Sequence, residues 1–333
     1  MRPPSAADRL TIVQRFYEAV RMQVITGSAD TERLYHWSFR FLDAQRDEGD
    51  ADTAYEAHLQ RMVRLEKDIQ HKFQKQLVSE LEHDMAVFFR VEAAYWLALT
   101  RDEPYVELAE QQLELGRRIY EGARSRFVQS SQGVEVACLW SVRLLQAERD
   151  HGQTADQDCY QAHLGRVLDI EQEARRQLRA NKVEQVAVST ADFFRWEGEY
   201  WLSLTTGRRG RSRAFAEMRL QSARDVEQVL RDTFQAGVGM AEHLYLWSLR
   251  HLRAARDHYE ESGEDNEAVR HASEVGSLED HGERMLTLQS ELRSSLPIGV
   301  ALDLGALEYF VLEAQCWIRR ARIGQESGFG ARE

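Results

Sequence analysis

The 333-residue sequence predicts an all-α protein. Only four prolines and 20 glycines interrupt the chain, and apolar residues recur at spacings of three and four. Both features are typical of long amphipathic helices. Similar segments also return about every 105 residues, which is typical of tandem helical repeats. The composition argues against disordered and all-β architectures.

A tryptophan motif marks three copies of the repeated segment. In each copy of the pattern Trp-Ser-x-Arg, an alanine lies seven residues after the tryptophan and is followed by an Arg-Asp pair. Its tryptophans are Trp37, Trp140 and Trp247. A second motif begins with histidine, at His58, His163 and His281. A third places a tryptophan four residues after a glutamate, as Glu92–Trp96, Glu197–Trp201 and Glu313–Trp317. We therefore divide the chain into a first, a second and a third copy.

Each copy is predicted to contain four helices, so that the chain has about twelve. In the first copy they lie near residues 5–26, 30–49, 52–77 and 80–100. Turn residues separate them, at Thr26-Gly27-Ser28, Glu48-Gly49-Asp50, Val78-Ser79 and Asp102-Glu103-Pro104. The predicted units are 1–102, 103–208 and 209–323, followed by a flexible tail at 324–333. They form either a curved solenoid or bundles joined by shared long helices.

Two segments stand outside this pattern. The third copy contains a polar insertion around residues 260–274, which we expect to include an exposed loop at 262–266 and to take part in binding. A dense basic run lies at residues 207–213. We interpret it as a solvated linker, because it lacks the ending of a P-loop. The alternative is a contact with phosphate or with an acidic partner.

The three motifs resemble those of uncharacterised bacterial proteins built from tandem WSxR…AHLxRM…FxxEAxxW units, and the resemblance covers nearly the whole chain. More distantly, the pattern is similar to the helical hairpins of TolC-family outer-membrane efflux proteins. The resemblance implies tandem helical hairpins. It does not imply efflux, because the sequence has neither an export signal nor the alternating strands of a TolC-like barrel.

Charge and hydropathy exclude several classes of protein. Fifty-five acidic residues against 43 basic ones give a formal charge of −12, which argues against nucleic acid as a partner. No window approaches 18 uncharged apolar residues, so we predict no membrane insertion. With no signal before Phe16, we expect a cytoplasmic protein, or an exported parent protein if the chain is a fragment.

The cysteines and serines do not form a recognisable reactive pattern. An odd number of cysteines without a C-x-x-C pair argues against a disulfide framework and a cysteine zinc site. They are Cys138, Cys159 and Cys316. The first and the last align with tyrosines of other copies, so we expect them to be buried apolar residues. The serines beside the tryptophans lack a nucleophile-elbow motif.

The recurring tryptophans are predicted to fill the core between helices, with a ligand cage as the alternative. A charged residue flanks each of them at about one helical turn. We hypothesise that these charges form buried inter-helix ion pairs, since a charge near a core needs a partner; the alternative is unrelated surface charges. The proposed pairs are Arg40–Glu92, Arg143–Glu197 and Arg250–Glu313.

The recurring histidines raise the question of a metal site. A ferritin-like di-iron centre needs two Glu-x-x-His motifs, and the chain has only Glu80–His83, which aligns with Gln185 and Val188. We therefore expect no metal and no cofactor, and we interpret the histidines as hydrogen-bonded structural residues.

The sequence predicts a non-enzymatic scaffold that binds a protein partner or itself, because a packing contact recurs in every copy whereas an active site has to occur only once. A bundle that carries or senses a small apolar ligand is the first alternative. A metal-dependent, ferritin-like oxidase is the second.

Overall fold

A computed structural model describes residues 6–131, 133–152, 155–237, 239–261, 267–295 and 301–322. Within these ranges the chain forms twelve helices and no strand, which confirms the all-α prediction. The helices are α1 (Ala6–Thr26), α2 (Thr31–Glu48), α3 (Ala51–Gln74), α4 (Glu80–Thr100), α5 (Val106–Ser130), α6 (Val134–His151), α7 (Asp156–Arg179), α8 (Gln185–Thr205), α9 (Arg209–Gln235), α10 (Ala241–Glu260), α11 (Glu267–Ser295) and α12 (Ala301–Arg322).

The four helices of the first copy lie within a few residues of their predicted positions. Local capping explains the agreement. The side chains of Asp30 and Asp50 each accept a backbone N–H from the first turn of α2 and α3. Ser79 and Glu82 form a reciprocal capping box at the start of α4. Gly27 follows α1 with φ +82, a conformation that other residues rarely adopt.

The chain divides into two compact units. The first contains α1 to α4, α5 as far as Gln129, and residues 139–151 of α6. The second contains residues 134–138 of α6 and the helices from α7 onward. The unit boundaries predicted near residues 102 and 208 stay a prediction.

Within each unit, helices that follow one another in sequence pack together. In the first unit α1 packs on α2, α2 on α3 and α4, and α3 on α4. In the second unit α7 packs on α8, α8 on α9, and α9 on α10. Helix α10 also contacts α11 and α12, which pack on each other. This arrangement gives each unit an interior lined by the apolar faces of its helices.

The two segments that interrupt the repeated pattern have different outcomes. The solvated linker predicted at residues 207–213 is wrong, because α9 begins at Arg209 and Ser212 is fully buried. Arginine favours helices, so most of the basic run belongs to the first turn of α9. Helix α11 begins at Glu267, inside the predicted polar insertion. The loop expected at 262–266 and the tail at 324–333 lie outside the described residues.

Across the ranges that the structure describes, none of the helices is both long enough and apolar enough to cross a membrane.

Candidate functional site

The recurring tryptophans lie in the helix-packed interior. The tryptophan of the Trp-Ser-x-Arg motif is fully buried in all three copies, at Trp37, Trp140 and Trp247. At the end of each copy, Trp96 is buried, whereas Trp201 and Trp317 are half-buried. Aromatic side chains of this size contribute much of the apolar area that a helical core buries.

Two of the buried tryptophans contact an aromatic pair that belongs to the preceding copy. Trp140 on α6 packs against Phe88 and Phe89 on α4, with ring centroids 5.0 and 5.9 Å apart. Trp247 on α10 makes the same contact on α8, 5.2 Å from Phe193 and 6.4 Å from Phe194. The tryptophan therefore joins consecutive copies.

Beside the tryptophan of the first copy, a serine, a histidine and an arginine form a buried hydrogen-bonded cluster. Nδ1 of His58 lies 3.0 Å from Oγ of Ser38. Arg61 donates from Nε to the same oxygen at 2.8 Å and from Nη2 to the Ser38 carbonyl at 3.3 Å. Two helices supply this cluster, since Ser38 belongs to α2 and the other two residues to α3.

The third copy builds the same cluster from the aligned residues. Nδ1 of His281 lies 2.9 Å from Oγ of Ser248, and Arg284 donates from Nε to that oxygen at 2.9 Å. In the second copy, Ser141 and His163 are both fully buried.

Each of the three histidines also contacts the second tryptophan of its copy. The ring centroids are 5.8 Å apart for His58 and Trp96, 5.8 Å for His163 and Trp201, and 6.2 Å for His281 and Trp317. The sequence interpretation set the serines aside and missed the arginines of the cluster. A signal was present, because an arginine follows each histidine after three residues and so lies on the same helix face.

Burial keeps His58 and His281 neutral. Desolvation, followed by the nearby arginine, lowers the pKa of His58 and of His281 well below the usual histidine value. Their Nε2 atoms are buried and have no hydrogen-bond partner among the described residues. Neither imidazole is therefore placed to exchange protons with solvent.

The described residues bring together no group of three or more His, Cys, Asp or Glu side chains that could hold a metal ion. Cys138 is fully buried at a position that aligns with tyrosine, and burial raises the pKa of its thiol. Cys159 is also buried, whereas Cys316 is half-buried. A buried thiol with a raised pKa is a poor nucleophile.

The predicted ion pair between Arg250 and Glu313 is wrong. Arg250 pairs with Glu135, with Nη1 and Oε1 2.6 Å apart. Glu313 accepts hydrogen bonds from the hydroxyls of Tyr245 and, at 2.7 Å, Tyr309. A tyrosine hydroxyl gives the buried carboxylate a donor, so the arginine is free to reach the first turn of α6 in the preceding copy.

An equivalent arginine–glutamate pair joins the second copy to the first. Arg143 on α6 lies 3.4 Å from Glu32, in the first turn of α2. Glu197, its predicted partner, pairs with Arg219 of α9 at 2.7 Å. In the first copy, Glu92 accepts a hydrogen bond from the Tyr35 hydroxyl at 2.6 Å. The Arg40 guanidinium lies 5.1 Å from the centroid of the Trp37 ring; its pairing with Glu92 stays a prediction.

Comparison with known protein families and with curated proteins gave no match.

Proposed function

We propose that this chain is a non-enzymatic helical-repeat scaffold, which binds a protein partner or a second copy of itself. One observation supports the proposal above all: the polar side chains that recur between copies form contacts inside the protein. The Ser38–His58 contact of the first copy and the Ser248–His281 contact of the third are equivalent. Repeat proteins reuse a packing solution in each unit and keep their outer residues for binding.

The contacts between consecutive copies support the same proposal. The arginine of one copy pairs with a glutamate of the preceding copy in Arg143–Glu32 and again in Arg250–Glu135. The Trp140 and Trp247 rings pack in the same manner on preceding aromatic pairs. Nearest-neighbour contacts of this kind are what stabilises tandem repeat arrays.

Exposed apolar side chains near the ends of α1 and α3 offer a candidate contact surface in the first unit. Met22 and Ile25 lie in the last turns of α1, and Leu77 follows α3; they are 55, 38 and 69 % exposed. The ammonium of Lys72 contacts the Val24 carbonyl, which holds the two helix ends together. We call Met22, Ile25 and Leu77 the α1–α3 patch. Neighbouring exposed apolar side chains favour protein association.

Native mass spectrometry of the full chain, purified gently from its source cells, tests the scaffold role. We expect a symmetric oligomer or a stoichiometric complex with one protein. The Leu77→Asp variant should lose the added mass of the partner or second copy, because burying a charge in an apolar contact is costly. A matched control is Val106→Asp, which changes an exposed valine at the start of α5, outside the patch, and should keep the mass.

Metal analysis and intact mass of the same sample test the two alternative functions. A stoichiometric metal or one bound small molecule, with no added protein, would overturn the scaffold proposal in favour of an oxidase or a carrier. Equal association by both variants would reject the α1–α3 patch as the contact surface. Circular dichroism of each variant should show unchanged helicity, so that any loss reports on binding.

A further inference from the structure

In the third copy, a buried arginine lies between two carboxylates. Nη2 of Arg219 on α9 lies 2.7 Å from Oε1 of Glu197 on α8, and its Nη1 contacts Oδ2 of Asp257 on α10. Two aromatic rings flank the guanidinium, since its Cζ atom lies 5.4 Å from the ring centroid of Phe193 and 5.8 Å from that of Tyr200. Carboxylates and aromatic faces are groups that bind guanidinium in proteins. We call the two carboxylates and the two rings the guanidinium site.

One copy earlier, the same site lacks its arginine. Its carboxylates are Glu92 on α4 and Asp150 on α6, and its rings are Phe88 and Tyr95. At the position of the arginine, α5 has Gln112. All these residues belong to the first unit. A neutral amide therefore stands at a position where the third copy has a guanidinium.

The first copy also has an arginine at this position. Arg9 on α1 aligns with Arg219, and it pairs with Asp47, the residue that aligns with Asp257. The Arg9 side chain is only 2 % exposed. A buried arginine therefore meets the same aspartate in the first and the third copy, and Gln112 is the exception. An exception to a recurring contact is not required by the packing of the array, so it calls for a separate explanation.

The packing of α4, α5 and α6 brings Gln112 beside Glu92. A β-carbon on Gly116 of α5 would lie 3.6 Å from Cε2 of Phe88 on α4 and 3.6 Å from Cδ1 of Leu144 on α6. Because residues 101–105 join α4 to α5 as a short turn, these two helices run antiparallel. Gln112 lies one turn before Gly116 on α5, and Glu92 lies one turn after Phe88 on α4. The two residues are therefore at the same level of the packed helices.

The amide oxygen of Gln112 requires a hydrogen-bond donor. The residue is only 1 % exposed, and its Oε1 atom is buried without a hydrogen-bond partner among the residues that the structure describes. Buried polar atoms in proteins nearly always have a partner. This oxygen can only accept a hydrogen bond, so its partner has to be an N–H or O–H group. A guanidinium between Gln112 and the two carboxylates supplies such a group.

The charges that act on Glu197 describe the occupied site of the third copy. Burial raises the pKa of this carboxyl group, and the charge of Asp257 adds to the rise. The cations that oppose the rise are Arg219, Arg250 and Arg253. The occupied site thus combines two carboxylates with three arginines.

The aligned site around Glu92 has fewer cations. The residues that align with Arg219, Arg250 and Arg253 are Gln112, Arg143 and Gln146. Arg143 pairs with Glu32 at 3.4 Å. Asp150 accepts a hydrogen bond from the neutral amide of Gln146, with Nε2 and Oδ1 2.8 Å apart. Because two arginines are replaced by glutamines, this site is more negative than its occupied counterpart by two charges, which favours a cation.

We propose that Glu92, Gln112 and Asp150 bind a guanidinium group from outside the chain, which takes the place of the missing arginine. The group belongs either to a free guanidino compound or to an arginine side chain of another protein. It donates hydrogen bonds to the two carboxylates and to Oε1 of Gln112. The contact of Glu92 with the Tyr35 hydroxyl leaves room for this, because a carboxylate has about four acceptor positions.

The half-buried Asp150 gives the guanidinium group a path from solvent. The aligned aspartates of the other copies are also partly accessible, with Asp47 18 % and Asp257 28 % exposed. This site is additional to the scaffold role and does not depend on it.

Calorimetry and thermal unfolding of the full chain in millimolar guanidinium chloride test the site, with sodium chloride of equal ionic strength as the reference. We expect saturable binding of one guanidinium per chain and a rise in Tm, because a ligand that binds only the folded state stabilises it. N-acetyl-arginine amide is the second probe and distinguishes the two sources. Tighter binding of this probe than of guanidinium indicates an arginine side chain as the natural occupant, and weaker binding indicates a free guanidino compound.

The Gln112→Arg variant restores the arginine of the other copies. It should raise Tm in the absence of guanidinium and weaken guanidinium binding by at least about tenfold, because its own side chain fills the site. The matched control is Gln111→Arg, which adds the same charge at the exposed neighbouring residue and should keep the binding. Asp150→Asn, at a half-buried residue, should also weaken the binding and tests the site even if Gln112→Arg does not fold.

Several outcomes would overturn the proposal. One is the absence of saturable guanidinium binding to the unmodified chain, or an equal rise in Tm with sodium chloride. Another is an equal loss of affinity in Gln112→Arg and Gln111→Arg, which would indicate a general effect of charge. A third is full guanidinium binding by a folded Asp150→Asn variant. Circular dichroism of each variant shows whether it folds.

Discussion

Arg219 on α9 pairs with Glu197 on α8 at 2.7 Å. Glu197 belongs to the second copy, which has Cys138 where the other copies have tyrosine. In the first copy, the Tyr35 hydroxyl donates to the aligned glutamate, Glu92. The third copy keeps the tyrosine contact. The buried carboxylate therefore has a donor in every copy, but the residue that supplies it differs. Burial demands a partner for the charge and does not specify which one.

This exchange predicts that Arg219→Gln destabilises the protein by about 3–5 kcal/mol, because it leaves the buried Glu197 and the half-buried Asp257 without their cation. Adding Cys138→Tyr should recover part of the loss, since a tyrosine hydroxyl could again donate to Glu197. Urea denaturation of the single and double variants measures the coupling. Arg213→Gln, an exposed change on the same helix, is the control and should have little effect. Strict additivity of the two changes would contradict the prediction.

The serine of the buried cluster is predicted to contribute to stability. In Ser38→Ala, Nε of Arg61 and Nδ1 of His58 lose their shared partner. We expect the free energy of unfolding to fall by about 1–3 kcal/mol, the cost of leaving a buried polar group unsatisfied. Chemical denaturation at pH 7 measures it. Ser125→Ala, at an exposed site in α5, should change stability by less than about 0.5 kcal/mol. Equal effects would argue against the cluster.

The buried histidines predict a loss of stability on acidification. In the unfolded chain His58 and His281 titrate near pH 6.5, whereas in the folded chain burial lowers their pKa well below that value. Below about pH 6.5 the unfolded chain therefore binds more protons, so the free energy of unfolding decreases as the pH falls. The slope approaches about 1.4 kcal/mol per pH unit for each histidine.

Denaturation curves between neutral and mildly acidic pH measure this slope. His58→Gln should reduce it, because the variant removes one buried titrating group. His71→Gln, which replaces an exposed histidine on the same helix, should leave it unchanged. A slope that survives the loss of His58 and is abolished with His71 would refute the assignment.

Tyr17 is predicted to be a position where the loss of a polar group stabilises the protein. Its hydroxyl is buried without a hydrogen-bond partner among the described residues, and burial raises its pKa to about 12. Tyr17→Phe removes an unsatisfied polar group and should raise the free energy of unfolding by about 1 kcal/mol. Tyr309→Phe removes a hydroxyl that donates to Glu313, and should lower it. Thermal unfolding of the two variants should show shifts of opposite sign.

The positions of the helices could be predicted from sequence because the signals that set them are local. Asp30, Asp50 and Ser79 each cap a helix within its first turn, so no distant residue is needed to define the boundary. The failure at residues 207–213 has a related cause. The basic run was interpreted from its charge, whereas its helix propensity and the burial of Ser212 place it in α9.

The recurring polar residues could be identified from sequence, but not their partners. Periodicity places Arg250 and Glu313 beside core tryptophans, and the arginine nevertheless pairs with Glu135 on another helix. The choice between two carboxylates depends on distances of a few ångströms across packed helices, and no spacing along the chain contains them. Likewise, only the folded chain brings His251 between Glu227 and Arg224, because the contact joins residues from α9 and α10.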